Sequence, residues 1–199
     1  MIVKDLGLVD YASTCLAMQD FTTSRVAETA DELWLLEHHP VFSQGTNGQA
    51  EHLLDLGQIP LVQSDRGGQV TYHGPGQLIA YTLFDLRRFG IGVRDMVSRL
   101  EDSVIAILSG HGIEAYSDPD APGVYVAGEK LASLGLRVKH GACYHGISIN
   151  VDMDLTPFLS INPCGYQGMK MTDLKSLGCE LSMIEVKQQF VAALTEQMK

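Results

Sequence analysis

The sequence predicts an α+β domain built on a largely antiparallel or mixed sheet with helices packed against it. Three observations carry this expectation. Segments of helical and strand character come in the order helix, strands, helix, strands, helix. The strand-like runs are joined by tight glycine-containing turns, as antiparallel neighbours are, and not by helical crossovers. The chain has 199 residues with no repeat, low-complexity tract or linker, which predicts a single domain over residues 1–199. A chain of that length buries roughly 70% of its unfolded surface.

The elements follow in order. Tyr11 to Arg25 contains no glycine or proline and reads as a helix, with Asp10 as its N-cap. Glu32 to Glu37, with Trp34, is a short apolar run ended by Pro40 and reads as a buried strand. Leu61–Ser64, Gln69–His73 and Leu78–Asp85 read as three strands, punctuated by DRGG and GPG. In Val93–Leu108 the apolar residues Val93, Met96, Val97, Leu100, Val104, Ile107 and Leu108 recur with a helical rhythm, and His111-Gly112 closes the helix. Val124–Ala127, Lys130–Val138 and Ala142–Val151 read as strands with turns at Gly128-Glu129 and His140-Gly141. A last helix starts at Ser182, where Glu185 completes a capping box, and turns Val186, Phe190, Val191 and Leu194 inward.

Composition narrows the function. The formal net charge of −10 argues against a general nucleic-acid binder, which needs a basic face to displace counterions. Local basic clusters remain, with Arg87-Arg88 the densest. The longest nearly apolar run, Leu78 to Phe84, is too short to span a bilayer. The opening MIVKDLGLVD does not read as a secretory signal, so a soluble cytoplasmic protein is expected. Cys15, Cys143, Cys164 and Cys179 are widely spaced, form no C-x-x-C pair and suggest no zinc site. The histidines lack an H-E-x-x-H pattern and read mostly as structural; His73 and His145, each followed by glycine, stand apart.

Three features bear on chemistry. The stretch RGGQVTYHGPGQ, Arg66 to Gln77, has neither P-loop nor dinucleotide-binding spacing. It reads as hairpin turns or as a ligand loop whose bare backbone approaches a substrate, and the residues alone favour the turns. Cys164 lies between Pro163 and Gly165, hence on a turn, whereas Cys15 and Cys143 fall within packed elements. Exposure makes Cys164 the one candidate nucleophile, without establishing it. Lys130 reads as a surface charge or as a pocket lysine. In a pocket, its ammonium would stabilise a thiolate: lowering a thiol pKa from about 8.5 by roughly 1.5 units needs about 2 kcal/mol.

Taken together, RGGQVTYHGPGQ, GEKLASLGLRV, HGISINV and INPCG, in this order, resemble the motif set of the octanoyl-[acyl carrier protein]:protein octanoyltransferases, the lipoate protein ligase B family. HHPVFSQG, His38 to Gly45, extends the likeness forward. The resemblance implies the catalytic-domain fold of biotin and lipoate ligases. It implies that Cys164 is the acyl-thioester nucleophile and Lys130 the residue that lowers its pKa. It implies substrate binding by Arg66, Gly67, Gly68, Gln69, Val70, Thr71, Tyr72 and His73, by Ser133, Leu134 and Gly135, and by Gly146, Ile147 and Ser148. The implied donor is octanoyl-acyl carrier protein. The implied acceptors are lipoyl domains of 2-oxoacid dehydrogenase E2 subunits and the glycine cleavage H protein. No cofactor, metal, nucleic acid or membrane is implied. Two rival readings are an ATP-dependent lipoate or biotin ligase of the same fold, and a module that only binds acyl carriers.

Strand alternation adds one expectation. Ser133 and Gly135 share a face of one strand, and Gly146 and Ser148 share a face of the next. Paired through the His140-Gly141 turn, these small residues would line an acyl groove.

Overall fold

The computed structural model describes residues 1–199. In chain order its elements are β1 (Ile2–Val9), α1 (Tyr11–Thr23), β2 (Glu32–His38), β3 (Val41–Gln44), β4 (Leu61–Gln63), β5 (Val70–His73), β6 (Gln77–Asp85), α2 (Leu86–Phe89), α3 (Val93–Gly110), β7 (Tyr116–Ser117), β8 (Gly123–Val126), β9 (Glu129–Lys139), β10 (Ala142–Asn150) and α4 (Met183–Gln197). Two sheets form. The larger has strand order β1-β2-β6-β10-β9-β8-β7, and the smaller β4-β3-β5. All neighbours are antiparallel except β1 with β2 and β3 with β4. The expected mixed sheet with packed helices is therefore present.

The helix ends follow their caps. The Asp10 carboxylate accepts from the Ser13 N–H at 2.8 Å and starts α1. Ser182 and Glu185 exchange hydrogen bonds at the start of α4. Gly112, at φ +73°, takes the left-handed position after α3.

The structure departs from the sequence expectation in several places. β1 was not anticipated: its apolar residues do not alternate, it bulges between Asp5 and Gly7, and as an edge strand it is almost wholly exposed. It pairs parallel to β2 across α1, so one βαβ unit is present where none was expected. Beyond Pro40 the chain resumes as β3 and enters the second sheet.

The large sheet is covered on both faces. On one face Leu33, Leu35, Leu78, Ala80, Phe84, Ile147 and Ile149 pack with α3 and α4 into the main core. On the other, Trp34, Leu36, Ile79, Tyr81, Leu83 and Tyr144 pack with Met18 of α1. This is why β6 and β10 are buried along their whole length and why β6 reads as a nearly continuous apolar run. No helix is long and apolar enough to cross a membrane.

Candidate active site

Cys164 sits on a short turn, Pro163–Gly165, in the left-handed conformation at φ +56°. That conformation is costly for a residue with a side chain and has to be held by its surroundings. The Asn162 N–H donates to the His52 carbonyl at 2.9 Å, the Gly165 N–H to the Asn162 carbonyl at 2.9 Å, and the Tyr166 hydroxyl to the Asp120 carbonyl at 2.8 Å. Cys164 stays partly exposed, as its flanking proline and glycine predict.

Lys130 is completely buried. Its Nζ donates to the Pro122 carbonyl at 2.9 Å and lies 3.4 Å from Cys164 Sγ. It also sits 5.2 Å from the centre of the Tyr125 ring, within cation–π range. Burial works against its charge, but the Cys164 sulfur and Tyr125 outweigh it and hold the lysine pKa above its ordinary value. The Lys130 backbone is clamped too: its N–H donates to Lys170 and its carbonyl accepts from Thr172.

Simple alternation would not aim Lys130 here. Ser133 and Gly135 face the site, so a regular strand would turn Lys130 into the main core. Between β8 and β9 the register steps from Val124↔Ala132 to Tyr125↔Lys130, leaving Leu131 as an extra residue. This bulge sends Leu131 to the core and Lys130 to the site face.

The glycine-rich stretch forms one wall of a cavity of about 450 Å³ that contains Lys130 and Cys164. Arg66, Gly67, Gly68, Gln69, Thr71 and His73 line it. Val70 and Tyr72 do not: on the alternating strand β5 they point the other way, into a small core with Phe42, Phe158 and Ile161. Their side chains support the wall and do not reach the cavity. Thr71 Oγ1 is buried without a hydrogen-bond partner, a donor free for a bound ligand.

Arg66 and His73 are committed to the protein itself. The guanidinium donates to the carbonyls of Ser43, Gly67 and Gln69 and to Ser43 Oγ, shaping the loop it belongs to. Ser43 Oγ is 3.1 Å from His73 Nε2, and His73 Nδ1 is 2.8 Å from Gln77 Oε1. Gln77 in turn donates to Asn150. Because Gln77 Oε1 accepts, His73 carries its proton on Nδ1. Burial, with a minor contribution from His38, pushes its pKa well below the ordinary value and keeps it neutral. Of these partners, Ser43 had a signal in the sequence, the HHPVFSQG segment. Gln77 closes the motif RGGQVTYHGPGQ and Asn150 lies in HGISINV, but neither motif marks its residue as a partner in this chain of hydrogen bonds.

The small residues of β9 and β10 meet as expected: Ser133 pairs with Ser148 and Gly135 with Gly146. All four line the cavity, as do Leu134 and Ile147. The glycines do not simply leave a groove, however. A Cβ on Gly146 would lie 2.0 Å from the Ala80 carbonyl oxygen, inside the sheet. One on Gly135 would lie 3.1 Å from Arg66 Cδ and from the Gly67 oxygen. Their absence of side chains lets β6 and the glycine-rich loop approach. The apolar end of the cavity lies instead at Val93 and Val97 of α3, with Leu134, Leu136 and Ile147.

His145 also lines the cavity. Its left-handed backbone, φ +61°, turns the ring to the site face, where it meets Tyr81 and stacks on Tyr144. Its Nε2 is 2.8 Å from Asp65 Oδ1, and Tyr144 also donates to Asp65. The hydrogen bond from His145 outweighs partial burial and draws the Asp65 pKa down to about 2.

The other cysteines and the densest basic pair lie elsewhere. Cys143 and Cys179 are buried in the main core and Cys15 packs against the second cluster around Met18. Burial pushes the Cys143 and Cys15 thiols up, the latter to about 11. Arg87-Arg88 is not a free basic patch: Arg87 pairs with Asp85 at 2.8 Å and Arg88 with Asp31 at 3.3 Å.

The chain is similar to known proteins along nearly its whole length. The family described as lipoyl protein ligase A/B catalytic domain covers residues 11–195. The octanoyltransferase of Marinomonas sp. (strain MWYL1) is 58% identical over 198 residues, covering 100% of this chain and 92% of its own. That of Stutzerimonas stutzeri (strain A1501) is 56% identical, over 98% and 90% of the two chains. The bipartite lipoate protein ligase of Thermoplasma acidophilum shares the fold with a TM-score of 0.77 at 16% identity, covering 100% of this chain and 84% of its own. The biotin protein ligase of Aquifex aeolicus does so with a TM-score of 0.61 at 14% identity, covering 100% and 68%. The chain belongs to the lipoyl protein ligase A/B catalytic-domain family and groups within it with the octanoyltransferases.

Proposed function

We propose that this chain, as one catalytic domain over residues 1–199, moves an octanoyl group from acyl carrier protein to a lysine amine of a lipoyl domain by way of a thioester on Cys164. The acceptors are the lipoyl domains of 2-oxoacid dehydrogenase E2 subunits and the glycine cleavage H protein, and the setting is the cytoplasm. The supporting observation is the buried Lys130 ammonium 3.4 Å from Cys164 Sγ. A buried cation beside a sulfur favours thiolate over thiol.

The chemistry closes on these two groups. The Cys164 thiolate attacks the octanoyl thioester carbonyl, forming a new C–S bond. The carrier thiolate leaves and takes a proton from the Lys130 ammonium. Neutral Lys130 then accepts the proton of the lipoyl-domain lysine as its amine attacks octanoyl-Cys164. Collapse forms the amide, expels the Cys164 thiolate and leaves Lys130 protonated, so the resting pair returns. A thioester is converted to an amide, and no ATP is consumed.

The test supplies octanoyl-acyl carrier protein and an unmodified lipoyl domain, without ATP, and follows the lipoyl domain by mass. An octanoyl gain at its lysine supports the proposal. A gain only from free octanoate with ATP identifies a ligase, and no gain under either condition identifies a binding module.

A further inference from the structure

α3 turns Met96, Leu100, Val104 and Leu108 into the main core. One carboxylate, Glu101, is buried with them at 6% exposure. Burying a carboxylate is unfavourable unless a specific partner compensates. The partner is a backbone group: Glu101 Oε1 accepts the N–H of Gly123 at 2.8 Å.

That N–H belongs to the peptide unit between Pro122 and Gly123. The same unit carries the Pro122 carbonyl, which receives the Lys130 ammonium at 2.9 Å. A trans peptide is planar, with N–H and C=O pointing in opposite directions, so fixing one fixes the other. Glu101 grips the unit from the helix side, and its far side presents the oxygen to Lys130. Gly123 completes the arrangement: at φ +154°, a Cβ on it would lie 2.4 Å from Lys130 Cε, so the lysine stem lies directly against this residue. None of the four motifs includes Glu101.

We propose that Glu101 is a positioning residue for the acyl-transfer pair: by holding the 122–123 peptide it aims the Pro122 carbonyl at Lys130 and so keeps the ammonium beside Cys164. The inference rests on the Lys130–Cys164 reading above. It assigns the effect to the reach of the carboxylate and not to its charge.

Two conservative variants separate reach from charge. Glu101→Gln keeps an oxygen at the same distance and loses the charge. Glu101→Asp keeps the charge and withdraws the oxygen by one methylene. In the full chain, the rate of iodoacetamide alkylation at Cys164 is followed against pH by peptide mapping, with Lys130→Met alongside and thermal midpoints as the check on folding. The expected result is a parental profile for Glu101→Gln and a midpoint raised by on the order of one pH unit for Glu101→Asp. A shifted profile for Glu101→Gln, or a parental one for Glu101→Asp, overturns the inference. A parental profile for Lys130→Met overturns the underlying reading instead, so the two failures are distinguishable.

Discussion

The two faces of the β9–β10 pair are built from alternate residues of the same strands, yet they differ in kind. One face sets Leu131, Ile149 and Cys143 against α3 and α4 in an apolar core. The other sets Ser133, Gly135, Gly146 and Ser148 beneath the glycine-rich loop and leaves a cavity. Each face has a cysteine nearby. Cys143 is sealed in the core, and its thiol is pushed up by burial. Cys164 reaches the cavity from a separate turn and meets an ammonium. The contrast shows that reactivity here comes from what the turn and the bulge bring together, not from the strands as such.

The sharpest way to break this comparison is to exchange the roles of the two thiols. Cys164→Ser should reduce octanoyl transfer below detection, because a hydroxyl is scarcely ionised near neutral pH. Cys143→Ala should keep the parental rate and lower stability by about 1 kcal/mol, read from chemical denaturation. Transfer that depends equally on both thiols would erase the distinction between the faces.

Lys130→Met tests the cation alone. The transfer rate at pH 7 should fall by roughly 10²–10³, since both thiolate stabilisation and proton transfer are lost. The loss should be partly recovered as pH rises toward the unperturbed thiol pKa of about 8.5. A loss that is flat with pH would separate Lys130 from the ionisation of Cys164.

Structure is legible in the sequence where residues act locally. Asp10, Ser182 with Glu185, and His111-Gly112 end their helices through contacts within a few positions, and all three behaved as expected. The pairing of Ser133 with Ser148 was also legible, since turn and alternation set register together. What stayed hidden depends on departures from regularity. Period two places Lys130 and His145 on the core face, and only the Leu131 bulge and a left-handed residue turn them around. The Ser43–His73–Gln77–Asn150 chain joins residues far apart in sequence, and each is an ordinary polar residue by itself. The same holds for the direction of the Val70 and Tyr72 side chains: the motif is continuous, but the strand it forms has two sides.

A smaller effect tests which part of the cavity takes the acyl tail. Val97 is half-buried on α3 at the apolar end. Val97→Phe should narrow that end and shift preference toward shorter acyl thioesters, by roughly tenfold per methylene excluded. An unchanged chain-length profile would place the tail toward Tyr81 and His145.

The smallest expected effect concerns Asp65, the partner of His145. Its folded pKa of about 2 lies below the ordinary 3.8, so its contribution to stability is present above pH 4 and lost as pH falls toward 2. Asp65→Asn should therefore differ from the parent in denaturation midpoint at pH 6 and converge with it near pH 2. A constant difference across that range would mean that the Asp65–His145 pairing does not persist in solution.

The central claim is that Cys164 carries the acyl group. Mixing the chain with octanoyl-acyl carrier protein in the absence of acceptor and ATP, then digesting at mildly acidic pH and mapping peptides by mass, tests it directly. The account predicts one octanoyl mass on the peptide bearing Cys164, removable by hydroxylamine and absent from Lys130→Met at neutral pH on the same timescale. An octanoyl group on another cysteine, on a lysine, or nowhere while transfer to a lipoyl domain still proceeds would contradict it.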